Sequence, residues 1–118
     1  MKLSYITIMV RNLETSLNFY QNLVGLQIVR RFNPGRGEIA FLANDAGETM
    51  LELIQFEDAE KVSVRGMVFS FHAGKDLETV QKTVRNAGYA PSEIIDRKPK
   101  PRHFTVTDPD GIVVEFSE

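Results

Sequence analysis

An internal repeat with an offset of 63 residues constrains the fold of this 118-residue sequence more than any other feature. The stretch FLANDAGETMLEL at 41–53 overlays FTVTDPDGIVVEF at 104–116, which places Glu52 on Glu115. The repeat has only two copies, whereas solenoid folds stack at least three. The sequence therefore predicts a duplicated module with internal symmetry, in which each copy carries a glutamate in its last apolar strand.

Both copies predict the same order of elements. YITIMV at 5–10 and VFSFHA at 68–73 alternate as strands do. Each is followed by a helix bounded by capping residues: Asn12 and Gly25 in the first copy, Asp76 and Gly88 in the second. Three further strands are predicted in each copy, at about 27–32, 38–43 and 49–56, then at about 92–96, 103–107 and 112–117. We expect an α+β domain over 1–118, with two βαβββ modules at about 1–60 and 64–118.

The alternation of side chains separates two faces of each predicted sheet. The helices should cover the more apolar face with residues spaced three or four apart, namely Leu13, Leu17, Tyr20 and Val24, then Leu77, Val80, Val84 and Ala87. The opposite, open face then carries Tyr5, Thr7, Met9 and Glu52 in the first module and Val68, Ser70, His72 and Glu115 in the second. Polar groups on an apolar lining are typical of a ligand site, although a sheet face exposed to water has the same pattern.

Composition excludes several classes of function. A formal net charge of −2 gives no electrostatic footprint for nucleic acid, and no apolar stretch is long enough to cross a membrane. The chain has no cysteine, so it has neither disulfides nor thiolate ligands. The N-terminal residues alternate as a strand does and do not form a signal peptide, so we expect a cytoplasmic location.

The paired modules, the stretch RNLETSLNFYQNLVGLQIV at 11–29 and the closing DPDGIVVEF at 108–116 resemble the vicinal oxygen chelate superfamily. This superfamily includes glyoxalase I, bleomycin-resistance proteins and extradiol dioxygenases. The resemblance implies that the two modules form an incomplete barrel around a small-molecule cavity. It also implies a homodimer, which the exposed strand edges of so short a chain favour as well.

In metal-dependent relatives, the resemblance implies ligands at the first strand, usually His, and at the last strand, usually Glu, of each module. Glu52 and Glu115 match the last-strand positions, as metal ligands or catalytic bases, but Tyr5 and Val68 stand at the first-strand positions. Two carboxylates alone bind Zn²⁺ weakly, although water can complete an oxygen-only site for another divalent ion. We therefore expect no stoichiometric Zn²⁺ or Ni²⁺ and no other cofactor, with a weakly bound divalent ion at Glu52 and Glu115 as the alternative.

Three further features have alternative interpretations. His72 shares the open face, whereas His103 is expected to face away from Glu115 if residues 107 and 112 flank the last turn. The run DRKPKPR at 96–102 is interpreted mainly as a solvated loop, with anion binding as the alternative. The same alternative applies to three arginines near the NPGR turn, which are Arg30, Arg31 and Arg36.

Three functional hypotheses remain. The favoured one is a metal-free protein that binds a small organic ligand, similar to bleomycin-resistance proteins. The second is a metal-dependent lyase or isomerase similar to glyoxalase I, and the third is a domain whose partner is another protein. We also expect Glu52 and Glu115 to line one cavity, where burial and mutual repulsion raise the pKa of at least one of them.

Overall fold

A computed structural model describes residues 1–118. The chain folds as two compact units, Met1–Val62 and Ser63–Glu118, and each unit is described by itself. Each consists of one small sheet with one helical segment, so the α+β class predicted from the sequence is confirmed. None of the helices has the length and apolar character that a membrane span requires.

The first unit has the predicted βαβββ order. Its elements are β1 (Tyr5–Met9), α1 (Leu13–Leu17) with a following π-helix (Asn18–Leu23), β2 (Gln27–Phe32), β3 (Gly37–Ala43) and β4 (Met50–Phe56). The strands lie in the order β1-β4-β3-β2. The first and last strands, β1 and β4, are parallel neighbours, whereas β3 is antiparallel to both β2 and β4.

The helical segment of the first unit buries a different residue set from the one predicted. Asn12 caps α1 as expected, since its side chain accepts from the backbone N–H of Thr15. In the π-helix, Val24 N–H donates to Phe19 O at 3.2 Å, a bond over five residues that widens the turn. The wider turn brings Phe19 into the core beside Tyr20, both fully buried, while Val24 is only half-buried.

The second unit contains β5 (Val68–His72), α2 (Leu77–Asn86), β6 (His103–Thr107) and β7 (Val113–Ser117). The strand order is β5-β7-β6, and β5 is parallel to β7 just as β1 is parallel to β4. The side chain of Asp76 caps α2, as predicted. Three of the four residues predicted for the apolar face of α2 are buried, but Ala87 follows the last helical residue and is exposed.

The strand predicted at 92–96 in the second unit does not form. Ser92 N–H donates to Thr105 O at 2.8 Å, and Ile95 makes an isolated bridge with His103. The ladder is interrupted because Thr105 N–H donates to the side-chain hydroxyl of Ser92, at 2.9 Å, and not to a backbone carbonyl. The serine hydroxyl therefore replaces a backbone carbonyl as the acceptor for Thr105 N–H. The second sheet consequently has three strands.

The β6–β7 hairpin differs by one residue from the predicted register. Thr107 pairs with Val113, although the sequence suggested residue 112. The cause is Asp108, whose carboxylate accepts from the backbone N–H groups of Asp110 and Ile112 at 2.8 and 2.9 Å. This side-chain turn keeps Ile112 in the loop, and a shift of one residue exchanges the two faces of β6.

Candidate functional site

The repeat places a hydroxyl group beside each glutamate. In the first unit β1 and β4 pair Thr7 with Glu52, and the Thr7 hydroxyl donates to Glu52 Oε1 at 2.5 Å. In the second unit β5 and β7 pair Ser70 with Glu115, and the Ser70 hydroxyl donates to Glu115 Oε1 at 2.7 Å. All four residues belong to the open faces predicted from the sequence. The same hydrogen bond recurs because the same parallel strand pair recurs.

Glu115 is more deeply enclosed than its counterpart. Its side chain is 5% exposed, and its second oxygen, Oε2, accepts a hydrogen bond from the ammonium group of Lys100. His103 Nε2 lies 3.8 Å from the same oxygen. A buried carboxylate needs such partners, because an unpaired buried charge is strongly unfavourable. Glu115, Lys100, His103 and Ser70 thus form one polar cluster in the second unit.

The position of His103 corrects a sequence-based expectation. The one-residue register shift in the β6–β7 hairpin pairs His103 with Ser117 and Thr105 with Glu115, so His103 faces Glu115 and not away from it. His103 Nδ1 lies 2.8 Å from Pro101 O, and a carbonyl can only accept. Nδ1 therefore carries the proton, and Nε2 is the nitrogen that faces the carboxylate.

The pKa of Glu115 also differs from the expectation. Burial is the largest single influence and by itself raises the pKa, but the hydrogen bonds from Lys100 and Ser70, together with charge interactions, above all with Lys100, lower the pKa below its ordinary value. The expected raised pKa is therefore wrong for Glu115. A carboxylate held ionised by an ammonium group is a weak acceptor of a substrate proton, so this environment does not favour a catalytic base.

Lys100 lies in the basic run at 96–102, which was interpreted mainly as a solvated loop. Two of its cations instead form ion pairs that hold the loop against the helix and the last strand of the second unit. Lys100 contacts Glu115, while Arg102 pairs with Glu78 of α2 and with Glu118. No local pattern in the sequence indicates these contacts, because they join residues 15 to 24 positions apart.

Glu52 has a different environment from Glu115. It is half-buried, it faces Phe41 of β3 across the ladder, and no cationic side chain pairs with it. Around it the open face of the first unit is largely apolar, since Met9 and Phe41 pack against the buried residues Ile39, Ile54 and Phe56. The two glutamates are equivalent by repeat but not by surroundings.

The remaining predicted residues lie on the open faces as alternation requires. Tyr5 is 47% exposed and makes an edge-to-face contact with Phe41, with ring centroids 5.4 Å apart. Val68 is 50% exposed at the equivalent position, and His72 is exposed at the end of β5. That Glu52 and Glu115 line one cavity stays a prediction.

A cavity of about 350 Å³ opens beside Tyr5 in the first unit. Its other lining residues are Val29, Arg30, Phe41 and Met50. Strand β2 has a bulge between Ile28 and Arg30, and Arg30 lies opposite Phe41. Sequence reasoning missed Val29, because a bulge in β2 breaks the alternation on which the assignment of faces rests, and it missed Phe41, because the faces of β3 were not assigned.

The residues do not fit the metal ion of glyoxalase-like relatives. The family resemblance places Tyr5 and Val68 at the positions where metal-dependent relatives usually have histidine. Both oxygens of Glu115 already accept hydrogen bonds, from Ser70 and Lys100. Nowhere in the structure do three or more His, Cys, Asp or Glu side chains form a group that could hold a metal ion.

Comparison with known proteins identifies relatives over almost the whole chain. Residues 2–116 match the sequence profile of the Glyoxalase/Bleomycin resistance protein/Dioxygenase superfamily. A lactoylglutathione lyase of Neisseria meningitidis is 29% identical over 98% of this chain and 89% of its own.

Two solved structures share the fold. The trypanothione-dependent glyoxalase I of Leishmania major superposes with a TM-score of 0.81 at 19% identity, covering 100% of this chain and 86% of its own. TnmS3, an antibiotic binding protein from Streptomyces sp. CB03234, gives a TM-score of 0.76 at 21% identity, with 99% of this chain and 94% of its own covered.

The lowered pKa of Glu115 predicts a pH-dependent contribution to stability. A carboxylate whose pKa is lower in the folded state stabilises the fold above its unfolded pKa, and this stabilisation is lost as pH falls through the folded pKa. We expect Glu115→Gln to lower the free energy of unfolding by about 1 to 2 kcal/mol at pH 7, a modest value because Lys100 is half exposed. The loss should shrink as pH falls from the unfolded pKa of about 4.3 through the lower folded pKa, because wild-type Glu115 then also becomes neutral.

Urea denaturation from pH 7 to pH 3 measures this difference. Glu52→Gln is the matched control, and its effect at pH 7 should be smaller because Glu52 is half-buried and has no cationic partner. A Glu115→Gln loss that is independent of pH, or no larger than the Glu52→Gln loss, would contradict the assignment.

Proposed function

Because the chain belongs to the Glyoxalase/Bleomycin resistance protein/Dioxygenase superfamily, we propose that it binds a small organic ligand without the help of a metal ion. The observation that carries this proposal is the cavity of about 350 Å³ beside Tyr5. Its volume is within the range of small-molecule sites, and its walls are mainly aromatic and aliphatic with one charged group.

The lining of this cavity favours a flat, apolar ligand with a negative substituent. Tyr5 and Phe41 meet edge to face, so their rings offer two surfaces at a steep angle, 87° apart. Met50 and Val29 complete the apolar lining, and Met adapts its shape to irregular ligands. The Arg30 guanidinium lies 4.4 Å from the centre of the Phe32 ring and supplies the positive charge.

The Glu115 cluster supports the metal-free part of the proposal. A divalent ion would have to displace Lys100 from Glu115, because two cations cannot approach the same carboxylate oxygen without strong repulsion. The ammonium group already neutralises the carboxylate. In this unit, therefore, the lysine supplies the positive charge that a metal ion supplies in metal-dependent relatives.

The alternative is a metal-dependent lyase or isomerase that uses Glu52 and Glu115. One finding favours it, the 29% identity with the Neisseria lactoylglutathione lyase. The presence of Tyr5 and Val68 in place of two imidazoles favours the binding function over this alternative. Dependence of ligand binding on a divalent ion separates the two.

The fluorescent probe 1-anilinonaphthalene-8-sulfonate combines fused aromatic rings with an anion, and its titration tests the proposal. We expect saturable binding of one probe at this cavity that is unchanged by EDTA or by added Zn²⁺. Arg30→Met and Tyr5→Ala should each weaken binding by about tenfold, because they remove a charge and a ring surface. Val68→Ala is the matched control at the repeat-equivalent position and should leave the affinity unchanged.

Equal affinity of wild type, Tyr5→Ala and Arg30→Met would overturn the assignment of this cavity. Binding that disappears in EDTA and returns with Zn²⁺ would favour the metal-dependent alternative. Native-like circular dichroism of each variant ensures that loss of probe binding is not loss of fold.

We further propose that the protein is a homodimer. Strands β1 and β2 are the edges of the first sheet and β5 is an edge of the second, and exposed edges favour pairing with another chain. Exposed apolar side chains lie on or next to these strands, including Leu3, Val29 and Val68. Light scattering during gel filtration should return twice the chain mass of 13.4 kDa, and a monomer mass at micromolar concentration would contradict the proposal.

A further inference from the structure

A second cavity in the first unit, of about 610 Å³, has a polar and strongly cationic lining. Four charged residues line it, which are Arg11, Arg36, Lys61 and Glu57. Three positive charges and one negative charge give this lining a formal charge of +2. A concave site with an excess of positive charge attracts anions and concentrates them.

This cavity shares no lining residue with the Tyr5 cavity and lies toward the other end of the sheet, beside the start of β3 and the end of β4. Its lining includes Gln55, which is three positions beyond Glu52 in β4 and therefore points to the other face. The Gln55 side chain accepts from the backbone N–H of Leu13 at 2.6 Å on the face covered by α1, whereas Arg36 stacks on Phe56, which lies on the opposite face. The second cavity is thus independent of the proposed ligand site.

Two of the cations, Arg36 and Lys61, are held in place by groups that do not neutralise them. The Arg36 guanidinium lies 4.4 Å from the centre of the Phe56 ring, and Lys61 donates to Phe56 O. Neither forms an ion pair with a carboxylate. Arg11 donates to Val62 O at 3.0 Å, which fixes one arm of its guanidinium. Guanidinium and ammonium groups held in a fixed position are the usual donors with which proteins bind oxyanions.

The glycines of the NPGRG turn fix the backbone on both sides of Arg36. Gly35 and Gly37 have φ values of 109° and 140°. A Cβ atom at Gly37 would lie 2.1 Å from Gln55 O, so no other residue fits against β4 without a backbone shift. The turn therefore packs closely against β4 next to the cavity. This packing fixes the backbone position from which the Arg36 side chain extends.

We propose that this cavity binds a phosphate monoester of a small hydroxylated molecule. A phosphate dianion matches the charge of +2, and guanidinium and ammonium groups are the preferred donors to phosphate oxygens. The cavity of about 610 Å³ exceeds what inorganic phosphate alone needs, which leaves room for an organic part. Glu57 lines the same cavity, and its carboxylate accepts hydrogen bonds from hydroxyl groups of that part.

Calorimetric titration at low salt with glycerol 3-phosphate, inorganic phosphate and glycerol tests the proposal. We expect glycerol 3-phosphate to bind more tightly than inorganic phosphate, and glycerol not to bind. The affinity for both phosphates should fall with added NaCl, as charge interactions require. Equal affinity for the two phosphates would overturn the assignment to a hydroxylated organic phosphate.

Charge-removing variants locate the site. Arg36→Met and Lys61→Met should each weaken glycerol 3-phosphate binding by about tenfold. Lys82→Met is the matched control, since it removes an exposed lysine of α2 in the second unit and should change nothing. Glu57→Gln should strengthen binding of inorganic phosphate, because it removes a repulsive charge, while the preference for glycerol 3-phosphate becomes smaller.

Two outcomes would overturn the site, namely no saturable binding of glycerol 3-phosphate by wild type, or unchanged affinity in both Arg36→Met and Lys61→Met. The use of two separate variants keeps the test valid if one of them fails to fold. Arg36→Met should not affect binding of 1-anilinonaphthalene-8-sulfonate at the Tyr5 cavity, so failure of this proposal is distinguishable from failure of the proposed function.

Discussion

The parallel pairing of the first and last strand within each unit is the constraint on which the surroundings of both glutamates depend. It sets Thr7 beside Glu52 and Ser70 beside Glu115, so each carboxylate accepts a hydrogen bond from a hydroxyl on the neighbouring strand. A parallel pair requires a long crossover, which the helical segment and the remaining strands supply. The glutamates therefore recur at equivalent positions because the whole module between the paired strands recurs.

Glu52 and Glu115 occupy equivalent positions in the repeat, but they differ in the partner of their second carboxylate oxygen. Glu115 is buried and must have its charge compensated, and Lys100 compensates it from a loop that has no equivalent contact in the first unit. Glu52 stays half-buried on an apolar face beside Phe41 and needs no such partner. One copy of the module thus encloses a neutralised polar cluster, whereas the other keeps an open apolar face with a cavity. This difference between the two copies is consistent with the proposed metal-free binding function.

Strand and helix positions followed from the sequence because they rest on local alternation, capping residues and the repeat. The failures arose where a side chain interfered with the backbone pattern. Ser92 replaced a ladder bond and Asp108 kept Ile112 in the turn, and the resulting one-residue shift moved His103 to the face of Glu115. The contact between Lys100 and Glu115 could not be predicted from the sequence, because 15 positions separate the two residues. Such contacts are decided by packing, which no local sequence pattern encodes.

The central claim is that Lys100, and not a metal ion, holds Glu115 in its ionised form. The most direct test follows the side-chain carboxyl carbon of Glu115 by NMR as pH is lowered, in wild type and in Lys100→Met after treatment with EDTA. The account predicts a titration midpoint below the ordinary glutamate value of about 4.3 in wild type, and a higher midpoint in Lys100→Met. A wild-type midpoint at or above the ordinary value that Lys100→Met leaves unchanged would contradict it.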